Sequence, residues 1–203
     1  MGKSLGKIVK SNSHTDYVCQ VFGKNETDDV PEVEHYALGT FVRIEVGAGS
    51  KSGELVGLIY DTVLLNPDFG RLGPRLSPES ELAVFTPDYL NERATLVGIT
   101  AIGRIDSKGG VVQGVPRLAA NSDAQVVQMD HDEIRAFHVY GNDLHLDYLP
   151  LLVKKQQENP LALHLARIVL QSLEELLPEY AKQLAVLNDD LVWRAQIGPL
   201  GGM

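Results

Sequence analysis

Alternation of hydrophobic and polar positions predicts β-strands over the first 129 residues. The clearest case is Thr40–Val46, where Thr40, Val42, Ile44 and Val46 share one face. Leu55–Leu65 is almost continuously apolar, which predicts a strand covered on both sides. The runs with strand character are Lys7–Lys10, Tyr17–Phe22, Thr40–Val46, Leu55–Leu65, Ala94–Ile105, Val111–Gln113 and Gln125–Met129.

Polar and proline-rich segments separate these strands. Ser11–Asp16 is rich in side chains that bond to nearby backbone, so we expect a turn there. Gly47–Gly53 predicts a flexible connection, and the proline-punctuated residues 66–93 predict a long excursion with one or two short helices. About six short strands with irregular connections favour a small closed barrel of Greek-key type over a parallel sheet.

The pattern changes to a helical period after Met129. Asp130 is an N-cap candidate for a short helix, and Asn142–Tyr148 fits either one more strand or the entry to a helix. Asn159-Pro160 precedes the clearest amphipathic helix, and Pro178 ends it and opens a second. We therefore expect a β-barrel over residues 1–129, a mainly helical region with an αα-hairpin over 130–197, and a tail over 198–203.

Composition narrows the class of protein without naming a reaction. The formal net charge is −9, which argues against a surface that neutralises many phosphates, so we do not expect direct binding of nucleic acid. The single cysteine, Cys19, excludes an internal disulfide and lies in a strand-like run, where a buried thiol is expected. No apolar run reaches membrane-spanning length, and the N-terminus has no apolar run of signal-peptide length, so we expect a cytoplasmic protein without membrane partners.

Catalytic motifs are missing from the sequence, and one weak metal pattern is present. No Gly-Lys-Ser/Thr follows the spacing of a P-loop, and no nucleophile elbow occurs. If residues 143–147 are extended, Asp143, His145 and Asp147 point to the same side and are candidate metal ligands. The alternative is the solvent-facing side of an edge strand. We therefore expect no enzyme activity and no cofactor.

Protein–protein interaction is the class of function that the sequence favours. The C-terminal hairpin is long and leucine-rich, and Trp193 with Ile197 lies near its end, as an anchor for a partner would. The alternative is that these side chains pack on the barrel of their own chain. The candidate interaction residues are Leu161, Leu165, Ile168, Trp193 and Ile197.

Four short segments follow one another in a recognisable order: an opening strand, a second strand, a glycine before a valine-rich strand, and a valine-glycine-hydrophobic run. They are Gly6–Ser11, Asp16–Val21, Tyr36–Ile44 and Leu55–Asp61, and Ala94–Ile105, Pro116-Arg117 and Ala124–Met129 come later in the chain. With these segments the first 120 or so residues resemble the HAS barrel, the N-terminal barrel of HerA-type DNA-translocating ATPases and of rotary ATP synthases.

The resemblance implies a role in assembly. In the HerA-type family an ATPase domain with a P-loop follows the barrel, whereas here Leu149–Trp193 takes that place without one. We therefore expect a module that forms a homo-oligomer or docks onto a HerA-like ATPase. The alternatives are a barrel that binds a small molecule or nucleic acid, and a metal-dependent hydrolase that uses Asp143, His145 and Asp147.

Overall fold

Seven antiparallel strands form the first part of the molecule. The computed structural model describes residues 2–24, 26–47, 53–65, 94–154 and 161–197, the last four of them by their backbone only. The strands are β1 (Ser4–Ser13), β2 (Asp16–Val21), β3 (Phe41–Val46), β4 (Gly53–Leu65), β5 (Ala94–Asp106), β6 (Val111–Gln113) and β7 (Gln125–Gln128).

Six of these strands close into a barrel. The pairings run β1–β2–β5–β4–β3–β7 and return from β7 to β1, and β6 is an extra strand beside β5. The meander β3–β4–β5 has β2 beside β5, which is the Greek-key arrangement. The predicted small closed barrel of about six strands is confirmed.

The β1–β2 hairpin is longer than the polar pattern predicts. The turn predicted within Ser11–Asp16 is present but shorter than expected, because β1 continues to Ser13 and only His14 and Thr15 form the turn. Ser13 pairs with Asp16 across the hairpin, so pairing with β2 overrides the turn preference of these polar residues. The predicted opening strand Lys7–Lys10 is therefore only the centre of a strand of 10 residues.

Apolar side chains fill the interior of the barrel. The alternation in β3 is confirmed, because Val42, Ile44 and Val46 all face this interior core. Cys19 is buried there as well, as expected, and burial raises the pKa of its thiol to about 12. The other buried members of this interior core are Leu5, Ile8, Tyr17, Val21, Leu55, Ile59, Val97, Ile99, Ala101 and Val126.

The second part of the chain is mainly helical. The Asp130 side chain accepts from the backbone N–H of Glu133 at 3.0 Å and caps the first helix, as predicted. Asn142–Tyr148 is mostly irregular. Only Asp143 and Leu144 pair, in a two-residue ladder with Tyr140 and Val139. The elements are α1 (His131–His138), β8 (Val139–Tyr140), β9 (Asp143–Leu144), α2 (Leu149–Lys154), α3 (Ala162–Leu176) and α4 (Ala181–Ile197), with 3₁₀ turns at Val33–Tyr36 and Pro178–Tyr180.

The helices cover one outer side of the barrel. Helices α3 and α4 pack on each other as the predicted hairpin, and a second core joins them to Phe41, Val56, Leu58 and Ile102 of the strands. The expectation that Leu55–Leu65 is covered on both sides holds for its first half. There Leu55 and Ile59 face the barrel interior while Val56 and Leu58 face the helices. It is wrong for the second half, where Val63, Leu64 and Leu65 are exposed.

Some sequence predictions fall outside the described residues. They are most of the Gly47–Gly53 connection, the helical excursion over 66–93, the Asn159-Pro160 helix start and the tail over 198–203. The domain boundary at residue 129 also stays a prediction, because no finding tests it.

Candidate functional site

A buried histidine lies where the barrel meets the helices. His138 is at the end of α1, and its side chain is fully buried. Its Nδ1 is 2.7 Å from the backbone oxygen of Ile134, and its Nε2 is 2.9 Å from the Tyr148 hydroxyl. A carbonyl can only accept, so Nδ1 carries the proton and Nε2 accepts from Tyr148. Phe41 of β3 and Phe137 contact the ring edge to face.

Burial keeps this site neutral. Loss of solvation lowers the pKa of His138 to about 4, although the hydrogen bond to the Ile134 carbonyl favours the charged form. Burial also raises the pKa of Tyr148 above its usual range. Both ring nitrogens of His138 are already engaged, and the side chain has no exposed surface. The contacts of His138 with Phe41 of β3 and with Tyr148 join the barrel to the helical part of the chain.

The predicted metal ligands do not form a cluster. Asp143 lies in β9, His145 follows that strand, and Asp147 lies in the turn before α2. The His145 ring stacks on the Tyr140 ring with centroids 3.6 Å apart, and its Nε2 is 3.2 Å from the backbone oxygen of Tyr140. Among the residues that the structure describes, no group of three or more His, Cys, Asp or Glu side chains could hold a metal ion.

Gln113 of β6 fastens this irregular segment to the barrel. Its Nε2 donates to the backbone oxygens of Phe137 at 2.9 Å and His145 at 3.0 Å. Its Oε1 accepts from the backbone N–H of Asp147 at 2.8 Å. One side chain thus satisfies three main-chain groups beside the edge of the sheet. This role could not be predicted from the sequence, because no local pattern shows which residues a glutamine at a strand end will contact.

A charged group lies where β3, β4 and α1 meet. Arg43 Nη1 donates to Glu54 Oε1 at 2.5 Å. Its Nε is 3.2 Å from Glu133 Oε1, an ion pair without the alignment of a hydrogen bond. Burial opposes the charge on Arg43, yet the bond to Glu54 and the charges of Glu54 and Glu133 raise its pKa. These contacts tie helix α1 to the strands and leave little of the guanidinium for a ligand.

Two of the predicted interaction residues pack on their own barrel. Leu165 is buried, and Ile168 is half-buried on the side of α3 that faces Gly39. Gly39 has a φ of +87°, and a Cβ there would lie 2.7 Å from Ile168 Cγ2. Only glycine allows both this backbone conformation and the close approach of α3. Leu161, in contrast, is exposed just before α3.

The outer side of α4 carries exposed apolar residues. Leu184 and Leu191 face the core, whereas Val186 is 68% exposed and Trp193 is 59% exposed. Val186 and Trp193 are seven residues apart, so they lie on the same side of the helix. The backbone of Ile197 ends the helix, but its side chain is outside the described residues. Trp193 is thus exposed on the side of α4 that faces away from the core, and it is the single tryptophan of the chain.

A groove of about 290 Å³ lies between the barrel and α2. Apolar side chains of the barrel and of α2 line the groove. Its polar side chains are those of two threonines and one lysine. The volume is near the lower limit for sites of small molecules. The lining residues are Thr15, Thr100, Ala101, Ile102, Val115, Leu151, Leu152 and Lys154.

The sequence model of a family described as a domain of unknown function, DUF8166, matches residues 2–200. The chain belongs to the DUF8166 family. Because the match extends over the barrel and the helices, the family is defined by both parts together.

No curated protein matches the sequence significantly. Within the described ranges, no helix has both the length and the apolar character needed to cross a membrane.

Proposed function

We propose that this DUF8166 chain is a non-catalytic assembly module that docks onto a partner through the outer side of α4. The observation that carries this proposal is the exposure of Trp193 and Val186 on one side of a helix whose other side is buried. A tryptophan is the side chain most enriched among residues that dominate binding energy at interfaces. Isolated exposed apolar residues are common on surfaces, but here a tryptophan and a valine lie on one side of the same helix, with Asp189 and Asp190 between them.

The rest of the molecule supports a binding role over catalysis. The barrel interior is filled by buried apolar side chains, from Leu5 and Ile8 to Val126. The one buried histidine, His138, is neutral and fully hydrogen-bonded. A metal-dependent hydrolase built on Asp143, His145 and Asp147 has less support, because these side chains do not converge. Metal analysis of the purified protein tests it, and stoichiometric metal would restore it.

The likeness to HAS barrels suggests a class of partner. In the HerA-type family the barrel works beside a P-loop ATPase domain, whereas residues 149–193 of this chain contain no Gly-Lys-Ser/Thr. The proposal is therefore that this chain, besides assembling with itself, docks onto a HerA-like ATPase. The acidic surface, with a net charge of −9, fits a protein partner better than a nucleic acid.

Affinity capture from native extract tests the docking proposal. We expect the tagged chain to recover a P-loop ATPase in stoichiometric amount and Trp193→Ala to lose it. Val33→Ala is the matched control, because it removes an exposed apolar side chain, 67% accessible, from a different element. Recovery of the chain alone, or recovery of the ATPase that is equal with Trp193→Ala, would contradict the proposal.

Fluorescence of the single tryptophan gives an independent readout. With 59% of its surface exposed in the free chain, Trp193 should be readily quenched by acrylamide. Adding the captured partner should shift its emission to shorter wavelength and protect it from quenching, because docking removes the indole from water. An unchanged spectrum in a complex of known stoichiometry would place the interface elsewhere.

Ligand binding in the groove beside α2 is a second candidate function. It rests on the mainly apolar wall formed by Ala101, Ile102 and Leu151, with Lys154 among the lining residues. Thermal-shift screening with small carboxylates tests it. A shift that is lost in Val115→Trp, which would fill the groove, would favour ligand binding over docking as the main function.

A further inference from the structure

The outer half of β4 is an apolar strand that nothing in the described structure covers. Its inner half is buried on both faces, but beyond Tyr60 the accessibility of the side chains rises sharply. Val63 is 51% exposed, Leu64 is 77% exposed and Leu65 is 52% exposed. These residues pair with β5 on one side only, Val63 with Leu96 for example. No described strand pairs with the other edge.

The direction of the main chain along this edge follows from the pairing. Ile59 uses its N–H and C=O toward β3, through bonds to Thr40 at 3.0 Å and Gly39 at 2.8 Å. A bulge at Tyr60 then shifts the register by one residue, so Asp61 is opposite Gly98. In an antiparallel ladder the bonded pairs alternate. Asp61, Val63 and Leu65 therefore face β5.

Thr62 and Leu64 direct their main-chain groups outward. The Thr62 N–H donates to the Asp61 carboxylate at 2.9 Å, as expected for a group that has no strand beside it. The N–H and C=O of Leu64 face the same open edge. An exposed edge of this kind is a template for pairing with another strand, and proteins usually block it with charge, proline or a cover. Here a stretch of four apolar or neutral residues, Thr62–Leu65, follows the single charge of Asp61.

We propose that this edge pairs with the same edge of a second copy of the chain, antiparallel about a two-fold axis at Val63. Thr62 of each copy then lies opposite Leu64 of the other, and four hydrogen bonds form between their main chains. Val63 meets Val63 of the second copy in a non-bonded pair, where side chains approach most closely. The inference rests on the proposed assembly role and gives it a defined self-association interface.

The low charge of this edge allows it to pair with the same edge of a second copy. Two copies each carry a net charge of −9, so close contact needs a surface with little charge. In the two-fold register, Asp61 lies opposite Leu65 of the second copy. The two Asp61 carboxylates are then four strand positions apart, about 13 Å along the strand, which exceeds the Debye length in physiological salt. In this two-fold register the main-chain N–H and C=O groups of Thr62 lie opposite those of Leu64 in the second copy, so donors meet acceptors without a different partner strand.

Analytical ultracentrifugation of the full chain over a concentration series tests the pairing. We expect a monomer–dimer equilibrium that Leu64→Pro weakens about 30-fold, the equivalent of two lost hydrogen bonds. Proline removes an outward N–H, which the chain's own sheet does not use, so the fold tolerates it. Leu64→Ala is the matched control, since it trims the side chain and keeps the N–H. Equal weakening by both variants would contradict main-chain pairing.

A charge exchange at Val63 tests the register. Val63→Asp and Val63→Lys should each be monomeric alone, because like charges meet directly across the axis. An equimolar mixture of the two should recover a dimer. Failure of the mixture to associate, while wild type does, would overturn the two-fold register.

The outcomes separate this inference from the proposed function. A wild-type chain that stays monomeric to about 1 mM, the weakest range of specific affinity, overturns the edge pairing. Hydrogen exchange then identifies the alternative, because protected amides at Thr62 and Leu64 in a monomer would mean that another part of the same chain covers the edge. Capture of a partner through Trp193 is a separate measurement, so docking can succeed where edge pairing fails.

Discussion

Acid should destabilise this protein through His138. The folded state holds the imidazole neutral, with a pKa of about 4 against an ordinary value of 6.5. Between these two values the unfolded chain binds a proton that the folded chain does not. The free energy of unfolding therefore rises with pH in this window. The contribution of His138 to it is lost as the pH falls from about 6.5 toward 4. Below that range both states are protonated and the His138 contribution no longer changes.

The size of the effect follows from the shift in pKa. A difference of one pKa unit corresponds to about 1.4 kcal/mol. His138 should therefore remove about 2 kcal/mol from the free energy of unfolding at pH 5 and about 3 kcal/mol at pH 4, relative to pH 7.5. For a domain stabilised by about 5–15 kcal/mol this is a large fraction. The structural cause is that a protonated ring can no longer accept from Tyr148, and its charge would lie among aromatic rings.

Urea unfolding at several pH values measures this dependence. Wild type and His138→Asn are followed by circular dichroism and Trp193 fluorescence from pH 7.5 to pH 4, with the slope against urea checked for constancy. The variant should lose about 2 kcal/mol less than wild type between pH 7.5 and pH 5, even if it is less stable at every pH. His131→Gln removes an exposed imidazole from the same helix and is the control for losing a histidine as such.

The reasoning would be refuted by parallel curves. If wild type and His138→Asn lose the same stability between pH 7.5 and pH 5, His138 is not the group that takes up the proton. NMR titration of the folded protein is the direct check, because the ring signals of His138 should stay constant to about pH 5.

Three further predictions follow from contacts described above. Gln113→Glu should lower the unfolding free energy by about 2–3 kcal/mol in urea, because two N–H donors are replaced by charge beside two carbonyls; Gln113→Ala losing less would agree, and no loss would contradict the contact. Gly39→Ala should lower the free energy of unfolding by about 2 kcal/mol more than Gly109→Ala does, since both glycines have positive φ but only Gly39 is crowded by α3. Equal melting temperatures of the two variants would argue against that packing. Cys19 should react with a thiol reagent at pH 8 only as fast as the chain unfolds, because its thiol is buried with a pKa of about 12; rapid labelling under native conditions would show an open barrel.

Much of the barrel could be predicted because each strand carries its own pattern. Val42, Ile44 and Val46 face one core by alternation alone, and Asp130 marks a helix start through a side chain that bonds to its own helix. These signals are local, so a single sequence contains them. The turn within Ser11–Asp16 is shorter than predicted because pairing with β2 outweighed the local preference of the polar residues.

The contacts that join the two parts could not be predicted from the sequence. Gln113 meets groups 24 and 32 residues away, and the sequence does not indicate which carbonyls will face it. His138 looked like one of several histidines near acidic residues, and only the fold shows that it lies among aromatic rings. The exposure of Leu64 and Leu65 could not be predicted either. Apolar character predicts a strand, but it does not show which part of the strand other elements will bury.

We expect closure of the ring by β7 to slow folding. This short strand joins β1 to β3, and Gln125 Nε2 donates to Ser4 Oγ across 121 residues of sequence. Chains whose contacts link distant residues search longer before those contacts form. The barrel cannot close on the ribosome until the β7 segment has emerged. Until then β1 and β3 keep unpaired edges, so early aggregation is the step at which synthesis of this protein is most exposed to failure.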